Sequence, residues 1–192
     1  MAAQERPAEF AILGLLALED AGSHGYDLAR AFAGGEPLGE ILRLEPGMLY
    51  HHLKRLERAD CVSQSTTQTG GRPPRQIYRI SETGRTRLFN WLQSPVEHTR
   101  EIRLDFLVKL YFAQRLEPAL ARRLISTQLD TLLEVRAALS NRPSTAEAPA
   151  DRFLESVREL RMTQTDAAIN WLESLHGPGP DPERSATPSG MP

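Results

Sequence analysis

The sequence predicts a mainly α-helical protein with one small β-hairpin. Apolar residues recur at helical spacing through most of the 192 residues. Residues 76–80 alternate between apolar and polar side chains, as a strand does. A turn rich in glycine and proline, residues 70–74, joins this strand to the β-branched and polar stretch 61–67. Together the two strands form the expected hairpin.

Four helices are expected around this hairpin. Residues 8–19 are apolar on most sides, which predicts a buried helix. Residues 26–32 form a short second helix, and residues 46–59 form a third that has proline in its first turn. The helix that follows the hairpin, residues 82–93, is expected to have Ser81 as its N-cap.

The remainder of the chain is predicted to be helical up to its last residues. Three segments separated by prolines are expected to form helices: residues 101–116, 118–140 and 151–175. The last has one apolar face, made by Phe153, Val157, Leu160, Gln164, Ala167 and Trp171. We therefore expect three regions: a first unit 1–94, an α-helical dimerisation and effector region 95–176, and a disordered tail 177–192.

The composition is that of a soluble globular protein, with 25% charged and 40% hydrophobic residues. No apolar run approaches the ~18 residues that a membrane-spanning helix needs, and the N-terminus has no apolar signal core. One cysteine, Cys61, excludes an internal disulfide and a zinc site with several thiolates. A cytoplasmic protein without membrane contact is expected.

The net charge of −2 argues against nucleic-acid binding when taken as an average. The charge is unevenly distributed, however. Residues 1–42 hold two basic and seven acidic side chains, a net −5, whereas residues 43–87 hold nine basic and four acidic ones, a net +5. The central segment can therefore attract phosphate although the whole chain is close to neutral.

The helix at residues 46–59 separates its side chains into two faces. Three leucines at i, i+4 and i+7 are expected to face the core: Leu49, Leu53 and Leu56. The opposite face is expected to present Gly47, Tyr50, His51, Lys54, Arg55 and Arg58. An aromatic hydroxyl, an imidazole and three cations suit phosphate oxygens and base edges in a major groove. A merely solvated basic face is the alternative.

The hairpin that follows this helix favours DNA binding over that alternative. Its tip contains Gly71, Arg72 and Arg75, with prolines that stiffen the turn. A basic helix followed at once by a hairpin with a basic tip is the order of a winged helix-turn-helix. In that motif the helix enters the major groove and the hairpin, or wing, touches the flanking backbone or minor groove.

Several short motifs occur in a fixed order between residues 10 and 92. They are FAILGLL at 10–16, HGYDL at 24–28, PGMLY at 46–50, LKRLE at 53–57, and GRPPR at 71–75 leading to IYRIS at 77–81. Through these motifs the chain resembles the PadR family of bacterial transcriptional regulators. The resemblance implies a dimeric, repressor-type protein with a winged helix-turn-helix and a helical C-terminal region that dimerises. It also implies DNA contacts by Tyr50, Lys54, Arg72 and Arg75.

Two positions depart from the family pattern at the start of the basic helix. The family usually has Ser or Thr before Pro-Gly and Thr after it, whereas this chain has Glu45 and Met48. Glutamate caps a helix less well than serine, and methionine has no hydroxyl to donate to a phosphate. DNA contacts at these two positions are therefore not carried over from the family.

The C-terminal helices carry more apolar residues than one helical pair can bury, so we expect residues 151–175 to pair with a second copy. A two-fold axis then implies an operator with an inverted repeat. Four aromatic residues at the junction with the first unit are candidates for an effector pocket, with ordinary core packing as the alternative: Trp91, Phe106, Tyr111 and Phe112.

No metal or other cofactor is expected. His51 and His52 point about 100° apart on a helix and have no third ligand nearby. The sequence also lacks a phosphate-binding loop and a nucleophile elbow, which makes an enzyme a poor interpretation.

The function we expect is a DNA-binding transcriptional regulator, a repressor released by an unknown small-molecule effector, with activation of transcription as an alternative. Its expected partners are double-stranded operator DNA, a second copy of the chain and that effector. The alternative is a helical protein that binds a small molecule or a protein partner and keeps a winged-helix scaffold without reading DNA. The cations at Lys54, Arg55 and Arg58 favour the first interpretation.

Overall fold

The computed structural model describes residues 7–67, 75–141 and 149–175. Its first part contains α1 Pro7–Leu18, β1 Ser23–His24, α2 Gly25–Ala31, α3 Pro37–Ile41, α4 Pro46–Arg58, β2 Val62–Thr67, β3 Arg75–Ile80 and α5 Glu82–Gln93. A 3-10 turn Thr99–Glu101 and a π-helical turn Ile102–Phe106 then lead into α6 Leu107–Leu116, α7 Pro118–Ser140 and α8 Pro149–Leu175. The predicted fold class, mainly helical with a small hairpin, is confirmed.

Two short elements were not expected. β1 pairs with β3, so that the hairpin becomes a three-stranded antiparallel sheet of order β1-β3-β2. α3 lies between the helices predicted at 26–32 and 46–59, and Pro37 sits in its first turn. Both elements are too short to produce a recognisable period, at two and five residues.

The core of the first part is built around α1. Phe10, Ile12, Leu13 and Leu16 are buried, as the apolar character of this helix predicts. The Phe112 ring of α6 packs directly against Gly14, where an added Cβ would lie 2.5 Å from the ring. The first compact unit runs on to Thr131, so that α6 and the beginning of α7 belong to it.

The helix after the sheet begins as predicted. The Ser81 hydroxyl accepts a hydrogen bond from the Gly84 amide at 3.0 Å, and it donates one to the Asp60 carbonyl at 2.5 Å. Ser81 therefore caps α5 and also ties it to the turn that precedes β2.

Ser81→Ala is expected to lower the free energy of unfolding by about 1 kcal/mol, because it removes the cap of α5. Urea denaturation measures the change. Ser156→Ala is the matched control, since the Ser156 hydroxyl donates only to the Arg152 carbonyl of its own helix. Equal effects of the two substitutions would contradict the capping role.

The segment expected as one helix over 101–116 instead changes type along its length. The 3-10 turn and the π-helical turn precede regular α-helix, which starts only at Leu107. Phe106 ends the π-helical turn and is completely buried. Such changes of helix type depend on tertiary packing, and a single hydrophobic period does not reveal them.

In the second compact unit, Leu132–Pro192, α8 packs along the end of α7. Arg158 donates to the carbonyls of Leu139 and Ser140 at 2.9 and 3.2 Å, and Arg136 pairs with Asp166 at 3.8 Å. The buried residues of α8 are Thr165, Ala168, Ile169 and Leu172.

These buried positions are not the apolar face that the sequence singled out on α8. Phe153, Leu160, Gln164 and Ala167 of that predicted face are exposed, while Val157 and Trp171 are half-buried. The helix thus carries two apolar stripes, and the single chain covers only one of them. The predicted tail and most of the predicted loop before α8 lie outside the described residues.

Candidate nucleic-acid interface

The two faces predicted for α4 are both present. Leu49, Leu53 and Leu56 are buried against the core. The exposed residues on the other side include Gly47, Met48, Tyr50, His51, Lys54 and Arg58. We call Tyr50, His51, Lys54 and Arg58 the outer face of α4. This face presents a phenol, an imidazole and two cations on one side of the helix. Such groups can contact the phosphate oxygens and base edges of DNA.

The N-terminus of α4 is open to solvent. Glu45 occupies the N-cap position but its side chain makes no capping hydrogen bond, as its chemistry predicts, and Pro46 fills the first turn. Gly47 is exposed and has no atom within 4 Å of the place where a Cβ would be. A phosphate can therefore approach the backbone closely at this end of the helix.

Tyr50 is held at the junction of α4 and α2. A Cβ on Gly25 would lie 2.7 Å from the Tyr50 hydroxyl, so a side chain at this position would displace the Tyr50 ring. The two helices and β3 enclose a cavity of about 480 Å³ that Tyr26, Tyr50 and Tyr78 help to line. Burial and the neighbouring Tyr50 and Glu57 raise the pKa of Tyr78 above the ordinary value of a tyrosine.

Tyr26 is a candidate contact that was not among the predicted site residues. It is 76% exposed in the first turn of α2, beside the cavity that Tyr50 lines. A large exposed aromatic residue in a first helical turn is the signal that should have marked it. His24, by contrast, connects β1 to β3, since its Nδ1 lies 3.1 Å from the Gln76 carbonyl.

Lys54 lies where α4 meets the sheet. Together with Tyr50 and Tyr78 it lines a narrow recess of about 250 Å³ between the helix and the two long strands. Its side chain is exposed, and its position places a cation between the helix and the wing.

Arg55 has a different environment from the one predicted. Its Nε lies 3.2 Å from the Oε1 of Glu9, a carboxylate of α1 whose side chain is only 4% exposed. The Arg55 side chain is 39% exposed and so lies at the edge of the outer face. Glu9 also contacts His52 and Arg87, and no sequence motif indicated a role for it.

The strands of the wing pair in register from Val62 with Ile80 to Thr67 with Arg75. Arg79 donates from Nη1 to the Ser65 hydroxyl across the strands at 2.8 Å. Of the predicted wing contacts, Gly71 and Arg72 lie outside the described residues, and only the backbone of Arg75 is described, as the start of β3. Their DNA contacts stay predictions.

The four candidate effector residues do not share one surface. Phe106 and Phe112 are completely buried. Trp91 stacks on Phe10 with ring centroids 4.2 Å apart, and the Lys109 ammonium lies 4.7 Å from its ring. Tyr111 is half-buried and has the Arg115 guanidinium 3.6 Å from its ring. The core packing that was the alternative therefore describes the two phenylalanines and Trp91, which is 8% exposed.

Trp91 also lines a cavity. This cavity has a volume of about 700 Å³ along α5, and its lining includes Arg87, Asn90 and Trp91. All of its lining residues belong to α5 or its C-cap and include Glu82, so this cavity is an open groove along one helix. In the part of the chain that the structure describes, no group of three His, Cys, Asp or Glu residues could hold a metal ion. Nor does any described helix have the length and apolar character needed to cross a membrane.

Two protein-family models match successive segments of the chain. Residues 12–90 match the model of the transcriptional regulator PadR-like family, and residues 102–176 match the model called virulence activator alpha C-term. The chain is 29% identical over 180 residues to the negative transcriptional regulator PadR of Bacillus subtilis (strain 168). The alignment covers 88% of this chain and 96% of that protein.

Two further similarities are weaker. The probable transcriptional regulator Rv1176c of Mycobacterium tuberculosis is 33% identical over 86 residues, 45% of this chain and 44% of that protein. The crystal structure of Bacillus subtilis PadR in complex with operator DNA aligns with a TM-score of 0.45 at 25% identity, over 88% of this chain and 97% of that chain.

Proposed function

The chain belongs to the PadR-like family of transcriptional regulators, and we propose that it represses transcription by binding operator DNA as a homodimer through the outer face of α4. The name of its Bacillus subtilis relative, a negative regulator, supports repression. The proposed role is one of binding rather than catalysis. Its site of action is the cytoplasm, where bacterial DNA is found.

The outer face of α4 is the observation that carries this proposal. Three buried leucines fix which side of the helix faces away from the core. Tyr50, His51, Lys54 and Arg58 lie on that exposed side. A helix of this width fits the major groove, where the lysine and arginine can contact phosphates or guanine and the tyrosine can donate to a phosphate.

We propose that the wing assists this helix. The predicted tip residues Gly71, Arg72 and Arg75 follow α4 in the order that a winged helix-turn-helix requires. Their cations contact the backbone or minor groove beside the site that α4 reads. Arg72→Ala is then expected to weaken all duplexes alike, whereas a base contact from α4 distinguishes between sequences.

The second apolar stripe of α8 supports the homodimer. Phe153 is 69% exposed and Leu160 is 57% exposed in the single chain. We propose that these side chains are buried against the same stripe of a second copy. The two-fold axis would place the two α4 helices in successive major grooves, about 34–36 Å apart, on an inverted repeat.

Leu160→Glu is expected to raise the dimer dissociation constant by at least about 100-fold, because the two-fold axis brings the unpaired carboxylate into the interface twice. Sedimentation equilibrium measures the constant. Asn170→Glu is the control, since Asn170 is exposed on α8 away from this stripe. Unchanged dimerisation of Leu160→Glu would place the interface elsewhere.

We further propose that a small-molecule effector binds in the cavity along α5 and releases the DNA. Trp91, only 8% exposed, lines the base of this cavity, and Arg87 and Asn90 supply polar partners. Tyr111 belongs to the same junction, while Phe106 and Phe112 support it from the core. A ligand in this cavity lies next to α5, which leads from the wing to the C-terminal helices.

The proposed function is tested with duplex DNA from the region upstream of the gene for this chain. We expect the protein to bind one inverted repeat in that region far more tightly than a shuffled duplex of equal length at about 150 mM salt. Fluorescence anisotropy measures both affinities, and footprinting locates the repeat. Equal affinity for the two duplexes across salt concentrations would favour a winged-helix scaffold that does not read DNA.

A further inference from the structure

A buried carboxylate lies directly behind the outer face of α4. Glu9 projects from the first turn of α1, and its side chain is only 4% exposed. Its Oε1 lies 3.4 Å from the His52 Nδ1 and 3.2 Å from the Arg55 Nε, both on α4. Its Oε2 lies 3.6 Å from the Arg87 Nη2 on α5. One carboxylate therefore joins three helices.

The contacts from Glu9 to α4 differ in kind from those of the leucines. Leu49, Leu53 and Leu56 hold the helix against the core by apolar packing, which is not directional. An ion pair with a hydrogen bond requires particular distances and angles. Since His52 and Arg55 are three residues apart, two such contacts on one side of α4 restrict its rotation about its own axis. Rotation of α4 would move Tyr50 and Lys54 relative to DNA.

By its charge alone, Glu9 would weaken DNA binding. A negative charge behind a DNA-binding helix repels phosphate, and burial of a carboxylate is costly unless cations pair with it. Arg55 and Arg87 supply that pairing. The arrangement pairs one of the basic residues of α4 with an internal acid, although its side chain stays 39% exposed.

We propose that Glu9 is a positioning residue for operator recognition, which sets the pose of α4 through Arg55 and His52, and that Arg55 acts through Glu9 and not on DNA. This inference rests on the proposed function, because it assigns roles behind the surface that reads the operator. Arg87 extends the same network to α5 and to the cavity that this residue lines.

The test compares Glu9→Gln, Arg55→Gln and the double variant as full-length proteins. Each is measured by anisotropy on the operator duplex and on a shuffled duplex, across a range of salt concentrations. Glu9→Gln is expected to weaken operator binding about tenfold, the size of coupling found between residues of one ion-pair network. Binding to the shuffled duplex should stay unchanged or tighten, because a negative charge has been removed.

Arg55→Gln is expected to weaken operator binding by a similar factor, and the double variant no more than either single one. For Arg55→Gln, the slope of log K against log salt should equal that of the wild type, since no phosphate contact is lost. Glu19→Gln is the control for charge: it removes an exposed carboxylate at the end of α1 and should not weaken operator binding. Thermal unfolding verifies that every variant is folded at the assay temperature.

Either of two results would overturn the inference. If Glu9→Gln tightens both duplexes equally, Glu9 acts only through its charge. If Arg55→Gln lowers the salt slope by about two per dimer, Arg55 contacts phosphate directly. If Glu9→Gln is unfolded at the assay temperature, the salt slope of Arg55→Gln alone tests the inference. Arg55 is partly exposed and tolerates replacement better. A wild-type protein that fails to prefer the operator would instead refute the proposed function.

Discussion

Lys54→Ala is expected to weaken operator binding by about 30-fold to 20,000-fold, because each such contact contributes about 1–3 kcal/mol and the dimer makes it twice. Lys54 is exposed where α4 meets the sheet, in the recess that Tyr50 and Tyr78 also line. No other exposed lysine is present in the described residues to replace it, since Lys109 is buried. Anisotropy titrations with operator DNA measure the loss.

The salt dependence of this variant shows what Lys54 contacts. Loss of a phosphate contact lowers the slope of log K against log salt by about one per protomer, hence about two per dimer. Loss of a base contact instead leaves the slope nearly unchanged and reduces the preference for the operator. Arg122→Ala on α7 removes an exposed cation far along the chain from α4 and is expected to change neither quantity. Wild-type affinity for Lys54→Ala would remove Lys54 from the interface.

Phe10→Ala is expected to lower the free energy of unfolding by about 3–5 kcal/mol, as removal of a buried phenylalanine usually does. Phe10 is completely buried, and its ring lies parallel to Trp91 at 4.2 Å. The Arg87 guanidinium is 5.2 Å from the centre of the same ring. The substitution therefore opens a cavity between α1 and α5 and removes an aromatic pair.

Chemical denaturation followed by tryptophan fluorescence measures this loss, since Trp91 reports on the site directly. Phe10→Leu retains most of the apolar volume and is expected to cost less than about 2 kcal/mol. A cost below about 1 kcal/mol for Phe10→Ala would contradict its place at the centre of the core.

The features that follow a local period could be predicted from the sequence. Leu49, Leu53 and Leu56 recur at helical spacing, so the pattern alone assigns both faces of α4. Ser81 likewise precedes its helix with the chemistry of a cap, and the structure confirms the capping hydrogen bond. Such features depend on residues a few positions apart.

The environment of Arg55 could not be predicted in this way. The helical period places Arg55 with Lys54 and Arg58, yet its Nε lies against Glu9, a residue 46 positions earlier. An acid within the apolar helix α1 indicates a nearby cation, because buried charges are paired. Which cation it is depends on tertiary packing.

The second apolar stripe of α8 shows a different limit. The apolar residues of a helix include those buried within its own chain and those buried against another chain. A sequence pattern does not separate the two kinds. The pattern singled out the stripe that contains Leu160, whereas the chain itself buries the stripe that contains Ile169 and Leu172. The remaining exposed stripe is what supports the proposed dimer.

Photo-crosslinking from α4 tests most directly whether its outer face reads the operator. His51 is replaced by p-benzoylphenylalanine and the variant is irradiated on labelled operator DNA, with Arg122 replaced in the same way as the control. We expect efficient crosslinks from position 51 to bases within each half-site, crosslinks that excess shuffled duplex does not remove, and none from position 122. Equal crosslinking from both positions, or none from position 51 on bound operator, would contradict the proposed interface.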